Sequence, residues 1–233
     1  MKKTLIAMLL LTALVCAACG TAASAPTAEP SPTEAATVVP TDDPEMEPPI
    51  EMPSYIANQV TVLTVQDKLF ETTQNPEEPE NREYVVNYTI QDDTLIFDQA
   101  GNKLSLEDVK EGSLLNVYTG AYTPAPMIMP PQYQANIIIL LDPEAEEASF
   151  TCADTFILVD GMLTGTGNTL ALNLTEDVEI VDRDGNPTQE ELVNKDLLVF
   201  YGTSTRSIPA QTTPTRIVVL GTNELALGSI NAQ

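Results

Sequence analysis

NIIILL at residues 136–141 and RIVVL at residues 216–220 are the stretches that decide the fold. Both are apolar almost throughout, which predicts a β-strand that is central in a sheet or covered on both faces. Each follows a proline-containing phrase that ends in glutamine, PMIMPPQ at residues 126–132 and TRSIPAQ at residues 205–211, and the two phrases stand 79 positions apart. A unit of about eighty residues therefore occurs twice in the chain.

The repeat extends upstream of these phrases. Residues 92–120 align with residues 176–202 when a one-residue gap is placed after Lys103. The aligned pairs are Asp98 with Asp182, Gly101 with Gly185, Asn102 with Asn186, Val109 with Leu192, Leu114 with Leu197, and Tyr118 with Tyr201. We expect a first repeat over residues 55–145 and a second repeat over residues 146–233.

Each repeat contains five β-rich segments separated by turn signals. In the first repeat they are residues 60–73, 82–90, 94–98, 113–118 and 136–141, and in the second 155–166, 169–175, 178–182, 197–201 and 216–220. The second repeat's first segment is expected to bend at Asp160 and Gly161. A short helix is expected before each fourth strand, because TQEE at residues 188–191 is a capping box and SLED at residues 105–108 is a looser one.

Five strands with a helix between the third and the fourth is the order of an OB-fold, a partly open Greek-key barrel. We therefore predict an all-β protein, with one short helix per repeat, built as two tandem OB-like five-stranded β-barrels. One larger sandwich, to which both repeats contribute strands, is the alternative.

The repeats resemble an uncharacterised group of Gram-positive cell-surface and lipoprotein β repeats. The matching positions in the first repeat are Thr94, Ile96, Asp98, Gly101, Val109, Gly112, Val117, Tyr118, Pro130, Pro131 and Gln132. Those in the second are Ile180, Asp182, Gly185, Leu192, Asp196, Tyr201, Thr205, Ser207, Pro209 and Gln211. The chain departs from the pattern at Pro126, Ile128 and Ala210. The resemblance implies a surface location and a fold, but no activity.

The N-terminus has the order of a secretory signal: Lys2 and Lys3, an apolar stretch at residues 5–15, then small residues. Ala17, Ala18, Cys19 and Gly20 resemble the lipobox of bacterial lipoproteins, although Cys16 stands where that family usually has leucine. We therefore expect a signal peptide over residues 1–18, a lipidated Cys19, and a location on the extracytoplasmic face of a bacterial cell membrane. Residues 19–54, rich in Pro, Ala, Thr and Glu, are expected to form a disordered tether.

Charge and composition exclude several classes of function. The formal net charge is −24, and it would be −26 after loss of Lys2 and Lys3, so nucleic acid and anionic lipid headgroups are not expected partners. The chain has no histidine, which excludes Ser-His-Asp triads and imidazole-ligated metals. Cys152 is the one cysteine left after processing besides Cys19, so no intramolecular disulfide is expected, and we interpret it as a small apolar residue.

The two Pro-Gln phrases are the candidate contact surface, because the loop between the fourth and fifth strands often borders the ligand groove of an OB-fold. The candidate ligand-binding residues are Met129, Pro130, Pro131, Gln132, Tyr133, Thr205, Arg206, Ser207, Pro209 and Gln211. The competing interpretation is that proline fixes these loops and removes edge donors that would invite aggregation.

Other motifs are weaker. DRDGN places Asp182, Asp184 and Asn186 like calcium ligands, but Pro187 and Val193 occupy the places where an EF-hand needs glycine and glutamate, so a tight turn is favoured. GTGN at residues 165–168 opens no helix and is predicted to be a hairpin turn, not a phosphate loop. No metal, cofactor or catalytic residue is assigned.

These observations favour a lipid-anchored, non-enzymatic binding module for a cell-envelope component or a partner protein. Its contact with the membrane is expected through the lipid anchor alone. A carboxylate-dependent hydrolase of cell-wall polymers is the alternative, and a passive surface spacer is a third possibility.

Overall fold

The computed structural model describes residues 52–145 and 149–222, all of which belong to one compact unit. The predicted signal peptide, Cys19 and almost all of the predicted tether lie outside the described residues. Ser54, the last residue of the predicted tether, is buried and hydrogen-bonded to the folded part. The described part is all-β, as predicted, with two single-turn 3₁₀ segments at Arg82–Tyr84 and Leu106–Asp108.

The first repeat closes into a five-stranded barrel. Its strands are β1 (Tyr55–Gln66), β2 (Leu69–Thr73), β3 (Val85–Asp98), β4 (Leu114–Gly120) and β5 (Gln132–Leu141). They pair in the order β1-β2-β3-β5-β4, and β4 pairs back with β1. The β3–β5 pair is parallel and the other pairs are antiparallel. The five-stranded barrel predicted for this repeat is therefore present.

The second repeat forms a separate seven-stranded sheet that does not close. Its strands are β6 (Phe150–Val159), β7 (Met162–Gly165), β8 (Leu170–Leu172), β9 (Glu179–Val181), β10 (Lys195–Tyr201), β11 (Ala210–Thr212) and β12 (Arg216–Gly221). They pair in the order β11-β8-β7-β6-β10-β12-β9. The second closed barrel that the sequence predicted is thus not seen.

The opening of the second sheet has a local cause. β8 and β9 pair with β11 and β12 in parallel, as β3 pairs with β5 in the barrel. In the second repeat, residues 173–178 interrupt the third strand and residues 213–215 interrupt the fifth. Pro214 lies in the second interruption and has no N–H to donate to a ladder. In the barrel the same place is only a register shift between Ile90 and Leu95.

The strand count is right for the first repeat, but two of its boundaries are wrong. Residues 60–73 are not one strand, because a tight turn with Asp67 at φ +48° divides them into β1 and β2. Residues 82–90 and 94–98 are not two strands, because β3 runs through both. The bend expected at Asp160 and Gly161 is likewise the hairpin turn between β6 and β7.

The helix predicted at residues 188–191 is absent, whereas the looser box at residues 105–108 does form a 3₁₀ turn. There the Asp108 carboxylate accepts hydrogen bonds from the backbone N–H of Ser105 at 2.8 Å and from its hydroxyl at 2.7 Å. In the second repeat, Thr188 N–H donates to Ile180 and Asn194 N–H donates to Phe156. Five residues lie between these two bonds, whereas seven lie between the corresponding bonds of the first repeat, Leu104 N–H to Ile96 and Gly112 N–H to Val62.

Three apolar clusters account for the core. The first fills the barrel: Val60, Val62, Phe70, Val86, Tyr88, Ile90, Ile96, Val109, Leu115, Val117, Ala135 and Ile138. The second lies under the open sheet: Phe156, Leu163, Leu170, Leu172, Leu192, Leu197, Val199, Ile217 and Val219. The third is shared by both repeats: Leu95, Phe97, Tyr118, Ile137, Ile139, Ala153, Val181, Leu198, Phe200, Val218 and Leu220. We call this third set the shared core.

Alternation along single strands divides residues between these clusters. In β10, Leu197 and Val199 face the second repeat's own core, while Leu198 and Phe200 face the shared core. β12 alternates in the same way, and in β5 Ile138 faces the barrel interior while Ile139 faces the shared core. The apolar runs therefore belong to strands covered on both faces, as predicted.

The structure shifts one part of the repeat alignment by one residue. Leu115 and Val117 face the barrel interior as Leu197 and Val199 face the second core, so Tyr118 corresponds to Phe200 and not to Tyr201. A shift of one residue moves a side chain to the opposite face of a strand. Sequence identity at the tyrosines was therefore misleading, because Tyr118 and Phe200 are the pair that share one environment.

Because the two repeats share a buried core, we expect one cooperative unfolding transition in urea. Phe200→Ala should lower the free energy of unfolding by about 3–5 kcal/mol, since it leaves a cavity beside Phe97. Phe150→Ala, on a half-exposed ring, is the control and should cost less than about 1 kcal/mol. Two separate transitions, one of them unaffected by Phe200→Ala, would contradict a shared core.

Tyr88 is a polar residue inside the barrel. Its ring is fully buried, and its hydroxyl lies near the Asn58 side chain but makes no hydrogen bond of normal geometry. Burial is the main cause that raises the pKa of Tyr88 to about 12. The folded state therefore resists ionisation of this hydroxyl between pH 10 and pH 12, where the unfolded chain ionises.

Tyr88→Phe should raise the free energy of unfolding by about 1 kcal/mol at pH 7, because it removes an unpaired buried hydroxyl. The gap in unfolding free energy between this variant and the unmodified chain should widen by up to roughly 3 kcal/mol between pH 10 and pH 12. The unmodified chain loses stability over this range because its unfolded state ionises Tyr88 more readily than its folded state, whereas phenylalanine does not ionise. Urea titrations at pH 7 and pH 11 measure both values, with Tyr122→Phe on an exposed ring as the control. If the stability gap between Tyr88→Phe and the unmodified chain were smaller at pH 11 than at pH 7, the raised pKa of Tyr88 would be refuted.

Candidate functional site

The two Pro-Gln loops occupy equivalent places in the fold. One joins β4 to β5 and the other joins β10 to β11. Both contain a cis proline, after Met129 in the first loop and after Ile208 in the second. Both also expose apolar side chains: Met127 completely, Ile128 by half, Met129 at 80% and Ile208 at 88%. The loops therefore expose apolar side chains to solvent on a strongly acidic chain.

Hydrogen bonds within the second loop use several of the predicted binding residues. Thr205 N–H donates to the Gln211 carbonyl at 2.9 Å, and Gln211 N–H donates to the Thr205 hydroxyl at 2.8 Å. The Ser207 hydroxyl donates to the Pro209 carbonyl at 2.7 Å, so the 2.7 Å contact between Thr205 and Ser207 has Thr205 as donor. These polar groups hold the loop, which leaves Arg206 and Ile208 at its exposed surface.

The first loop is attached at its end. The Pro131 carbonyl accepts from Asn87 N–H at 2.8 Å, and Gln132 is the first residue of β5. The Tyr133 ring packs at a tilt on Tyr88, with centroids 6.3 Å apart. No hydrogen bond or ion pair joins the two loops within residues 52–145 and 149–222.

A cleft between the two repeats was not predicted from the sequence. It has a volume of about 550 Å³, within the range of ligand pockets. Its lining residues are Ser54, Tyr55, Gly120, Tyr122, Thr123, Pro124, Asn136, Arg183, Asp196, Leu220, Gly221 and Thr222. We call it the inter-repeat cleft. Residues 120–124 open the first Pro-Gln loop, so this loop borders the cleft.

Tyr55 and Asp196 form the polar wall of the cleft. The Tyr55 hydroxyl donates to Asp196 Oδ2 at 2.9 Å, and the Thr155 hydroxyl donates to Asp196 Oδ1 at 2.5 Å. Burial, followed by the Asp196 charge, holds the pKa of Tyr55 well above its usual value. Across the cleft, the Asn136 side chain accepts from Gly120 N–H at 2.8 Å.

A second buried carboxylate, Asp154, lies behind this wall. Four groups donate to it at 2.7–2.8 Å: the backbone N–H groups of Ser54, Thr155 and Gly167, and the hydroxyl of Thr166. The GTGN stretch is the predicted hairpin turn, and Asn168 N–H closes it on the Gly165 carbonyl. Its backbone thus binds an anion, but the anion is a carboxylate of the same chain.

Sequence reasoning assigned neither carboxylate to a site: Asp154 was not singled out, and Asp196 was named only as a matching position of the repeat pattern. The available signal was the polar residue itself: Asp154 within the apolar run of β6, and Asp196 at the start of β10. Buried charges are retained only where donors surround them. One donor to each carboxylate is distant in the chain, Ser54 for Asp154 and Tyr55 for Asp196, and the sequence does not reveal that proximity.

The turn at residues 182–186 has the geometry of a tight turn. Asp182 Oδ1 accepts from the N–H groups of Asp184 and Asn186 at 2.9 Å each, and Gly185 has φ +87°. Asp98 makes the same bonds in the first repeat. The Asn186 backbone N–H is the main cause that lowers the pKa of Asp182. Within the described residues, no group of three or more metal-ligating side chains is placed to hold an ion.

Comparison with protein-family models, with curated proteins and with solved structures gave no match. The resemblance to Gram-positive surface repeats and to the lipobox therefore stays a prediction. Within residues 52–145 and 149–222 there is no helix of sufficient length and apolar character to cross a bilayer.

Cys152 should be unreactive in the folded protein. Burial is the main cause that raises the pKa of its thiol to about 12 from the ordinary value of 9.0, with the Asp154 charge adding to it. At pH 8 the thiolate fraction should be roughly a thousandfold below that of the unfolded chain. A chain beginning at Gly20 removes the other two cysteines, and iodoacetamide should alkylate it at least a hundredfold faster in 8 M urea. Equal rates in buffer and urea would contradict the buried thiol.

Proposed function

We propose that this protein is a lipid-anchored, extracytoplasmic interaction module that binds a partner protein. The observation that carries the proposal is the contiguous exposure of Met127, Ile128 and Met129 on the first Pro-Gln loop. Exposed methionine and isoleucine on a loop tip have no use in the monomer's own core. Methionine is enriched in the buried parts of protein interfaces, where its flexible side chain adapts to a partner surface.

The inter-repeat cleft supports the same proposal. Tyr122, which is half-exposed, lies in the segment that joins the cleft to the loop tip. A partner segment that covers Met127 and Met129 could therefore continue into the cleft and meet the Tyr55 and Asp196 wall. The net charge of −24 favours a partner whose surface around the apolar contact is basic.

The second repeat would add its own loop to this surface. We propose that it is an OB-like barrel opened at the two strand interruptions, since its pairings match those of the first repeat. Its loop would then present Ile208 and Arg206 as the first presents Met129. The lipid anchor at Cys19 and the tether would hold both loops away from the membrane.

The carboxylate hydrolase has less support. A glycosidase needs two carboxyl groups facing one cavity, on either side of the bond that breaks. In the inter-repeat cleft Asp196 is the one lining carboxylate, and it accepts from Tyr55 and Thr155. Asp154 lies behind the wall and is bound by its four donors.

Site-specific photo-crosslinking tests the proposal. A photoreactive amino acid at position 129 of the full, membrane-attached chain should give one discrete protein adduct after irradiation of whole cells. The same amino acid at Glu111 is the matched control and should give none. Glu111 is exposed and precedes the start of β4, whereas the first Pro-Gln loop follows the end of β4. An excess of the soluble chain from Gly20 should compete for the adduct, whereas the same chain with Met127, Ile128 and Met129 replaced by serine should not.

The serine variant should keep the melting temperature of the unmodified chain, because the three side chains are exposed. The same adducts from positions 129 and 111, or adducts with wall glycan and no protein, would overturn the protein-partner proposal.

A further inference from the structure

The tip of the first Pro-Gln loop carries two methionines on a tight turn. Met127 and Met129 are 103% and 80% exposed, with Ile128 between them at 50%. The Ile128 N–H donates to the Pro126 carbonyl at 3.0 Å, which closes a γ-turn centred on Met127. Both thioether side chains are therefore open to solvent at one point of the surface.

The two sulfur atoms can reach a common point. One residue separates Met127 from Met129, so their Cα atoms lie at most about 7 Å apart. A methionine side chain is unbranched and has three rotatable bonds. Neither side chain belongs to any of the three apolar clusters of the core. Both can therefore turn toward one ion without a change in the fold.

The surroundings of the tip offer sulfur and no charged oxygen. Residues 121–131, AYTPAPMIMPP, contain four prolines and no charged residue. Ca²⁺ and Mg²⁺ prefer carboxylate and carbonyl oxygens, whereas thioether sulfur selects soft ions such as Cu(I). The donor type at the tip therefore favours a soft ion over a hard one.

A stronger soft ligand is present in the chain, but it is closed off. Cys152 is the one free cysteine among the described residues, and burial raises the pKa of its thiol to about 12. A thiol binds a metal as the thiolate, so the folded state disfavours ligation by Cys152. The net charge of −24 draws cations toward the surface, where the exposed thioethers are accessible.

We propose that Met127 and Met129 together bind one soft monovalent cation of the Cu(I) class through their thioether sulfur atoms. Such ions accept low coordination numbers, so a pair of sulfur ligands is enough to hold one. A thioether has no proton to lose, so the affinity should be the same at about pH 6 and about pH 8, unlike that of a thiolate site. The inference goes beyond the proposed partner protein and does not rest on it, since the ion needs only this chain.

A silver titration followed by NMR tests the proposal, because Ag(I) resembles Cu(I) and is stable to oxidation in air. The chain from Gly20 carries carbon-13 in its methionine methyl groups and Cys152→Ala, so that no thiolate competes. On addition of silver nitrate in chloride-free buffer, the methyl signals of Met127 and Met129 should shift together, with one midpoint, and stop at one ion per chain. The signals of Met52 and Met162, which have no second methionine within two residues, should shift only with silver in excess.

Single replacements separate a joint site from two independent side chains. Met127→Leu and Met129→Leu should each weaken silver binding by roughly tenfold, because the remaining thioether loses a neighbour at high effective concentration. Leucine keeps the apolar character and approximate size of methionine, and the exposed positions make loss of folding no concern. Met52→Leu, at a half-exposed methionine that stands alone, is the matched control and should leave the midpoint unchanged.

Several outcomes would overturn the proposal. Different midpoints for the two methyl signals, or a single variant that leaves the other methionine's midpoint unchanged, would show two independent thioethers. Equal shifts with Zn²⁺ would show that the tip does not select soft ions, and no shift at one silver ion per chain would show no site. The titration contains no partner protein, so its failure is distinct from failure of the crosslinking at position 129.

Discussion

Phe97 of the barrel and Phe200 of the second sheet meet edge to face, with ring centroids 6.1 Å apart, in an apolar layer that belongs to neither repeat alone. This contact lies in the shared core, which constrains the strands of both repeats. The strands that supply the layer also supply the interior of their own sheet from alternate residues, so a one-residue slip would exchange two cores at once. Two different apolar clusters therefore fix the strand register of β5, β10 and β12. This packing against the shared core also holds the second sheet in place, although that sheet does not close.

A buried carboxylate joins the same layers by polar contacts. Asp154 accepts four hydrogen bonds, and one of its donors, Ser54, stands directly before the first strand of the barrel. Removing a carboxylate from water is costly unless donors replace the lost hydration, and here they do. The entry of the chain into the first repeat is thus bound to a strand of the second. Tyr55 and Asp196 extend this polar contact to the inter-repeat cleft.

The two repeats differ where function and closure are concerned. The first has a closed barrel, a longer apolar loop tip and a barrel end covered by Leu104 and Leu106. The second has interrupted third and fifth strands, a single exposed isoleucine on its loop, and an apolar groove lined by residues that include Leu158, Leu163 and Leu174. The same order of strand pairings therefore occurs once as a closed barrel and once as an open sheet.

The sequence by itself determined the elements that depend on local pattern. The repeat, the apolar strands, the Gly-Asn turns and the exposed Pro-Gln loops were all predictable, because alternation, glycine and proline act within a few residues. The tertiary structure alone decided which strands are continuous, whether each sheet closes, and where Asp154 and Asp196 lie. TQEE failed to form a helix although its local signal was the better one, and hydrogen bonds to Ile180 and Phe156 hold that segment to a length two residues shorter than its counterpart in the first repeat. Such contacts depend on residues far apart in the chain, and a local pattern contains no information about them.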